Sequence, residues 1–399
     1  MVTKDTESPT RMGRWSAADV SAHLPPGVVE RYVSPAMAIV LSPSLVRKWF
    51  LVFVVVSLLG FGAVFVYGND LPAFVAATSQ LQWRWILVGL GLASLDWIGG
   101  GLRLWVLVRH VHSPVSMKGM VLAGGMGAWA GYLTPLSSGS GPMMIYTMRR
   151  YGVPLPDAVT TTLMSFIATV IFFALAGPLA IVLGGGRSLE RYGNFLGLSL
   201  YQLFLGSLGI FAGLGLVMVL VIIFPHLIRE SLHGLAERVG RRSRRVADRL
   251  EALRAGIDRA HQSFVSFNSP QGWLSLAWAT LLSGPSHANK LLAGYVALRA
   301  VGGLHANFVD VLLLQTLITF LLYFAPTPGA SGLAEMLSAA VMSSVYLPPP
   351  LTPLYTLVWR CILSYFTLAF GFVVFSRWVR QGLRGISAGS DELPAVGAG

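Results

Sequence analysis

The chain has 399 residues, 54% of them hydrophobic and only 12% charged, with a formal net charge of +12. Soluble domains carry about 25% charged residues, so this composition excludes an ordinary soluble protein and predicts a multispan membrane protein. The basic excess fits cytoplasmic loops, which collect Lys and Arg. Because no aromatics interleave the basic stretches, nucleic-acid binding is set aside.

Residues 1–46 are polar and dotted with proline, and a disordered cytoplasmic tail is expected there rather than a cleaved signal peptide. A first membrane repeat is expected over 47–224. Arg47 and Lys48 precede an uncharged span at 49–67, which puts the N-terminus inside. A second span at 85–108 contains Asp96 and Arg103 and returns to Arg109 and Lys118. Residues 119–133 are too few to cross easily and run into Thr134-Pro-Leu-Ser-Ser-Gly-Ser-Gly-Pro142, after which the chain reaches Arg149-Arg150. Basic residues at both ends predict a re-entrant hairpin opening from the cytoplasm, broken at Pro135 and Gly141. Crossings follow at 157–183 and 201–224.

Residues 225–272 are the one long polar segment in the middle of the chain. Leu232, Leu235, Val239, Val246, Leu250, Leu253 and Ile257 fall at helical steps beside Arg241-Arg-Ser-Arg-Arg245. A basic amphipathic helix on the anionic inner leaflet is the main reading, and a helical hairpin or a homo-oligomer contact is the other. The remainder of a second repeat, 273–380, starts with a crossing at 273–298 that carries Ser283-Gly-Pro-Ser-His-Ala-Asn-Lys290 near its middle. The run 309–324 then breaks at Tyr323-Phe-Ala-Pro-Thr-Pro-Gly-Ala-Ser-Gly332 and resumes at 333–345. Pro326, Pro328, Gly329 and Gly332 supply this second break, in a hairpin expected to open from outside. A last crossing at 351–375 carries Arg360, and a disordered tail is expected over 381–399. Of the 29 Lys and Arg, this topology leaves Arg84, Arg187, Arg191 and Arg299 outside and Arg103, Lys290 and Arg360 within the membrane, with the rest inside.

Laying one break over the other pairs Tyr132 with Tyr323, Pro135 with Pro326, Ser140 with Ser331 and Gly141 with Gly332. The halves then read as inverted repeats, each with two crossings, a re-entrant hairpin and one crossing. Backbone can unwind at membrane depth only inside protein or beside a wet cavity. Transporters built from inverted repeats place their sites where paired broken helices meet.

The residues Tyr132-Leu-Thr-Pro with Gly139-Ser-Gly-Pro142, Thr327-Pro-Gly-Ala-Ser-Gly332 with Glu335, and Trp359-Arg360 together resemble the flippase-like family. That family is the transmembrane domain of lysylphosphatidylglycerol synthase, the multiple peptide resistance factor. The resemblance covers 81–377 and implies a bacterial or archaeal membrane protein that moves polar-headed lipids between leaflets, aminoacylated phosphatidylglycerol in the best-known members. Ending at Gly399, the chain leaves no room for a cytosolic aminoacyl-transfer domain, so lipid synthesis is not expected of it. Where many relatives carry an Arg and an acidic residue around the first break, this chain has Ser137-Ser138-Gly139-Ser140.

The intramembrane charges carry the remaining argument, because an Arg at bilayer centre costs about 2.5–3.5 kcal/mol on insertion scales and needs partners. Glu335 is the natural partner of Arg360, either as a structural pair or as part of a site. In the site reading, Arg360 and Arg103 bind a lipid phosphate through paired hydrogen bonds, and Glu335→Gln abolishes transport while the fold survives. Asp96 is expected to pair with Arg103. His287 and Lys290 belong to a cavity, with Asp96 and His287 as candidates for a proton path, or His287 is simply packed and hydrogen-bonded. Ser137, Ser138 and Ser140 form a phosphate cradle, or the break is satisfied by its own serines. No nucleotide-binding loop, metal spacing or nucleophile elbow is present, so no enzyme, cofactor or metal is expected. The expectation is an all-α integral membrane protein of the plasma membrane, with six full transmembrane helices plus two re-entrant hairpins and both termini cytoplasmic. It would act on membrane lipids as a flippase. The alternative is a non-catalytic accessory subunit of a lipid-modifying or glycosyl-transfer system.

Overall fold

The computed structural model describes residues 43–68, 71–180, 182, 194–195, 198–224, 226, 230, 262, 265–303, 306–323, 325–343 and 345–390. Of the tails expected at 1–46 and 381–399, residues 1–42 and 391–399 lie outside the described residues, as does nearly all of the basic amphipathic segment, while 43–46 and 381–390 are helical rather than disordered. The chain is an α-helical membrane protein. Among the described residues, four helical stretches are long and apolar enough to cross a bilayer: Leu45–Val66, Trp83–Val111, Leu155–Leu179 and Pro349–Trp378.

In chain order the helices are α1 (Pro43–Gly68), α2 (Leu71–Ser79), α3 (Trp83–Val111), α4 (Met117–Leu133), α5 (Ser140–Arg150), α6 (Leu155–Ala180) and α7 (Leu200–Ile223). A two-residue antiparallel ribbon, Asn194–Phe195 with Leu198–Ser199, precedes α7. Then come α8 (Pro270–Ser286), α9 (Ala288–Leu291), α10 (Ala293–Ala300), α11 (Phe308–Tyr323), α12 (Leu333–Ser343), α13 (Thr352–Arg360) and α14 (Phe366–Ser390). A π-turn at Cys361–Tyr365 joins the last two. Helix α1 begins ahead of the Arg47 boundary expected, and α2 is a short element that hydropathy did not single out.

The expected single crossing at 273–298 is instead interrupted twice, at His287 and Leu292. Pro285 lies just before the first interruption and cannot donate a helical hydrogen bond.

Helix α3 is the hub, packing against α4, α6, α8 and α10. It can do so because its middle carries Gly99-Gly100-Gly101, and small residues let helices in lipid approach closely. A Cβ on Gly101 would sit 2.2 Å from Val121 Cα, and one on Gly124 would sit 2.6 Å from Gly101 N. Farther along, α6, α7 and α11 share an aromatic cluster of Phe173, Phe211, Phe320 and Tyr323, with ring centroids 4.7–6.0 Å apart. Two helix–turn–helix units, α4–α5 and α11–α12, bring their turns against each other on this frame.

Candidate functional site

The two turns share a design. Each starts with Thr-Pro and a short 3-10 turn, Pro135–Ser137 in the first and Pro328–Ala330 in the second. Each places two successive residues in the left-handed region: Leu136 (φ 53°) and Ser137 (φ 54°), then Gly329 (φ 55°) and Ala330 (φ 55°). The backbone therefore matches Thr134-Pro135 with Thr327-Pro328, two residues away from the register that paired Pro135 with Pro326. Identities misled because conformation, not residue type, defines the equivalent position. In this register Gly139 and Gly332 coincide, and both are amides just ahead of a helix. Thr134 Oγ1 accepts from Gly139 N at 2.8 Å, and Glu335 Oε2 accepts from Gly332 N at 2.8 Å. A hydroxyl in one half and a carboxylate in the other satisfy the same orphan donor.

The first break is thus held by Thr134, which also donates to Ala130 O at 2.8 Å, rather than by its serines. Ser138 is exposed, Gly141 lies in the first turn of α5, and neither they nor Ser140 line the space between the turns. Ser137 does. That space is a cavity of about 60 Å³, room for a few waters but not for a phospholipid headgroup. Its wall takes Tyr132, Leu136 and Ser137 from the first unit, Thr319, Tyr323, Thr327, Gly329 and Ala330 from the second, and Lys290 and Leu363 from elsewhere. The turns close tightly at one point. A Cβ on Gly329 would lie 2.9 Å from both Tyr132 O and the Phe53 ring, so this left-handed position admits only glycine. Pro328 is buried in the turn, while Pro326 is exposed just before it.

Two charge clusters flank the cavity. In the first, Arg360 Nε donates to Glu335 Oε1 at 2.9 Å, with both side chains at most 1% exposed. Its NH1 donates to Gly329 O at 3.2 Å and its NH2 to Ser57 Oγ at 3.4 Å, and the Phe53 and Tyr365 rings lie 5.6 and 5.7 Å from its centre. Arg360 therefore ties α1, the second turn and α12 to α13, and the pairing with Glu335 expected in both readings is present. In the second cluster Asp96 pairs with Lys290 at 3.4 Å and accepts from Tyr132 OH at 3.4 Å. The expected Asp96–Arg103 ion pair is absent among the described residues. Arg103 instead donates from NH1 to Thr169 Oγ1 at 2.6 Å and to Ser283 Oγ at 3.2 Å.

Arg103 and Arg360 thus have separate partners and do not converge on one point between them. His287 donates from Nδ1 to Ser283 O at 2.8 Å and stacks edge-on to Phe173 at 5.2 Å, off the cavity wall.

Sequence reading passed over several residues that the site uses. Ser57 stands alone in an apolar run and Gln315 is the one amide in another, a visible signal that a polar side chain at membrane depth has a partner. Gln315 Oε1 accepts from Trp359 Nε1 at 2.9 Å, its Nε2 donates to Tyr355 OH at 3.4 Å, and Tyr355 OH meets Ser338 Oγ at 3.1 Å. This network fastens α11 and α12 to α13 beside Arg360. Gln315→Leu should cost about 1–3 kcal/mol, because it orphans a buried indole N–H. A lower melting temperature in detergent than that of wild type is the expected reading. The π-turn had no local signal; it lends Leu363 to the cavity and Leu363 O to Asn289 Nδ2 at 3.2 Å.

The fold and these clusters define a multi-pass helical membrane protein with a small, partly open and mostly apolar cavity between two broken helical units. The chain belongs to the family of the lysylphosphatidylglycerol synthase TM region, whose profile matches residues 49–371. A comparison with curated proteins gave no match.

Proposed function

We propose that this chain carries a polar-headed lipid between membrane leaflets along a path that runs between the two broken turns. In this reading it spans the plasma membrane six times, with α4–α5 and α11–α12 as re-entrant hairpins of opposite entry in inverted repeats, and with both termini cytoplasmic. It performs no covalent chemistry, and its partners are membrane lipids and the anionic inner leaflet. One observation carries the proposal: the two Thr-Pro turns touch, and the cavity between them is lined from both. Unwound backbone at membrane depth is tolerated where it lines such a space, and paired breaks are where transporters hold their cargo. Membership of a lipid-related membrane family agrees with it. The cavity as it stands has room for a few waters, so in this reading passage of a headgroup requires the turns to separate.

A cross-link across the cavity tests the proposal. Ser137→Cys and Thr327→Cys, in a Cys361→Ser background, would be joined with a short bis-methanethiosulfonate. In vesicles containing fluorescent phospholipid, quencher accessibility should show lipid exchange with the unlinked protein. Exchange should fall at least tenfold when the link forms and return on reduction. Exchange at an unchanged rate with the link in place would overturn the reading.

A further inference from the structure

The two Thr-Pro turns share a backbone path but not the means of holding it. In the second turn Pro328, Ala330 and Ser331 are buried. Arg360 NH1 donates to Gly329 O at 3.2 Å, and Glu335 Oε2 accepts from Gly332 N at 2.8 Å. A buried ion pair thus grips this turn at both ends, and Thr327 Oγ1 closes it by donating to Ser331 O at 2.8 Å. One of its two left-handed positions is glycine, which reaches φ 55° at no steric cost.

The first turn is held by much less. Leu136, Ser137 and Ser138 are all exposed, Leu136 by 60%. Both left-handed residues carry a Cβ, Leu136 at φ 53° and Ser137 at φ 54°. That conformation brings Cβ against the following carbonyl oxygen, which disfavours it for every residue but glycine. An exposed Leu136 side chain makes little packing to offset the strain. What closes the turn is Ser137 N to Thr134 O at 3.3 Å and Ser138 N to Pro135 O at 3.0 Å. One hydroxyl, Thr134 Oγ1, bridges Ala130 O and Gly139 N, each at 2.8 Å. None of these contacts involves a charged group, yet Leu136 and Ser137 form part of the cavity wall.

We propose that the first turn is the moving gate of the cavity and the second turn its fixed wall. Opening returns Leu136 and Ser137 to ordinary negative φ and withdraws Ser137 from the wall, while residues 327–332 keep their place. Strain stored in an exposed segment favours this departure, because leaving the closed form relieves it. The inference rests on the reading of the cavity as a lipid path and adds which side of it moves. The motion can be measured apart from transport.

The test is hydrogen–deuterium exchange of the full-length chain in lipid nanodiscs, read by mass spectrometry on peptides spanning 134–142 and 327–335. Amides that open locally exchange in proportion to the population of the open form. Protection in the first turn should be about tenfold lower than in the second. Leu136→Gly should raise first-turn protection about fivefold, because glycine removes the strain of the closed form. Leu136→Ala keeps the Cβ and should match the wild type, which separates strain from loss of the side chain. Ala330→Gly relieves the same strain in a turn that stays put, so first-turn protection should not change. Leu136 is exposed, so neither of its variants empties a packed site.

Equal or lower protection in the second turn, or a Leu136→Gly protein no better protected than Leu136→Ala, would overturn the proposal. In vesicles, Leu136→Gly should slow lipid exchange by a similar factor. Raised protection with lipid exchange unaltered would leave the gate standing as a motion and remove the lipid path instead.

Discussion

Glu335→Gln is expected to destabilise the protein by about 3–5 kcal/mol, the usual cost of removing one partner from a buried ion pair. The site reading of the sequence carried a different expectation, loss of transport in an intact fold, beside the alternative of a structural pair. A stability effect is expected because Glu335 is fully buried and does two things at once. One carboxylate oxygen meets Arg360 Nε at 2.9 Å and the other caps Gly332 N at 2.8 Å. Glutamine has one acceptor oxygen in place of two and no charge, so a guanidinium with 1% exposure is left without a counter-charge beside Gly329 O and Ser57 Oγ. Thermal unfolding in detergent and the yield of monodisperse protein would read the effect. Glu335→Leu with Arg360→Met in the same chain should recover much of the loss, since well-packed apolar residues often replace a buried pair at little cost. The cycle of single and double variants would then give a coupling of several kcal/mol. A single variant that melts with the wild type would refute the structural role assigned to the pair.

A second large effect is expected at Gly101. Its absent Cβ would stand 2.2 Å from Val121 Cα, a backbone atom that cannot rotate away. Gly101→Ala must therefore push α4 off α3. Overpacking of a close interface costs about 1–3 kcal/mol, more when backbone has to move. Helix α4 leads directly into Thr134 and the first turn, so the displacement should reach the cavity as well as the stability. Gly62→Ala is the internal control, because nothing lies within 4 Å of a Cβ built there. Size-exclusion profiles and melting temperatures of the two variants, side by side, should show Gly101→Ala well below wild type and Gly62→Ala at or near it. Equal behaviour would mean that the α3–α4 contact is looser than described.

Local chemistry made much of this protein legible in its sequence. Uncharged apolar runs, as at 49–67, give helices because backbone polar groups in lipid must be satisfied within the segment. The prolines and glycines at 134–142 and 326–332 mark both breaks, because proline removes a donor and glycine reaches φ values that other residues avoid. Arg103, Lys290, Arg360, Asp96 and Glu335 announced by their presence alone that buried partners exist. Which partners Asp96, Lys290 and Arg103 have was decided only by tertiary structure.

Asp96 and Arg103 lie seven residues apart on α3, about 10 Å along its axis at 1.5 Å per residue, while Lys290 arrives from α9 at 3.4 Å. Arg360 and Glu335 were paired correctly, but Ser57 at the other end of the same guanidinium comes from α1, over three hundred residues earlier in the chain. The register of the two turns also needed the backbone, since their shared left-handed residues are Leu136 and Ser137 in one and Gly329 and Ala330 in the other. A pattern of residue types records what each segment can do alone. The charge left over around Arg103 arises only when distant helices are packed together, because hydrogen-bond reach depends on distance in space and not on separation along the chain.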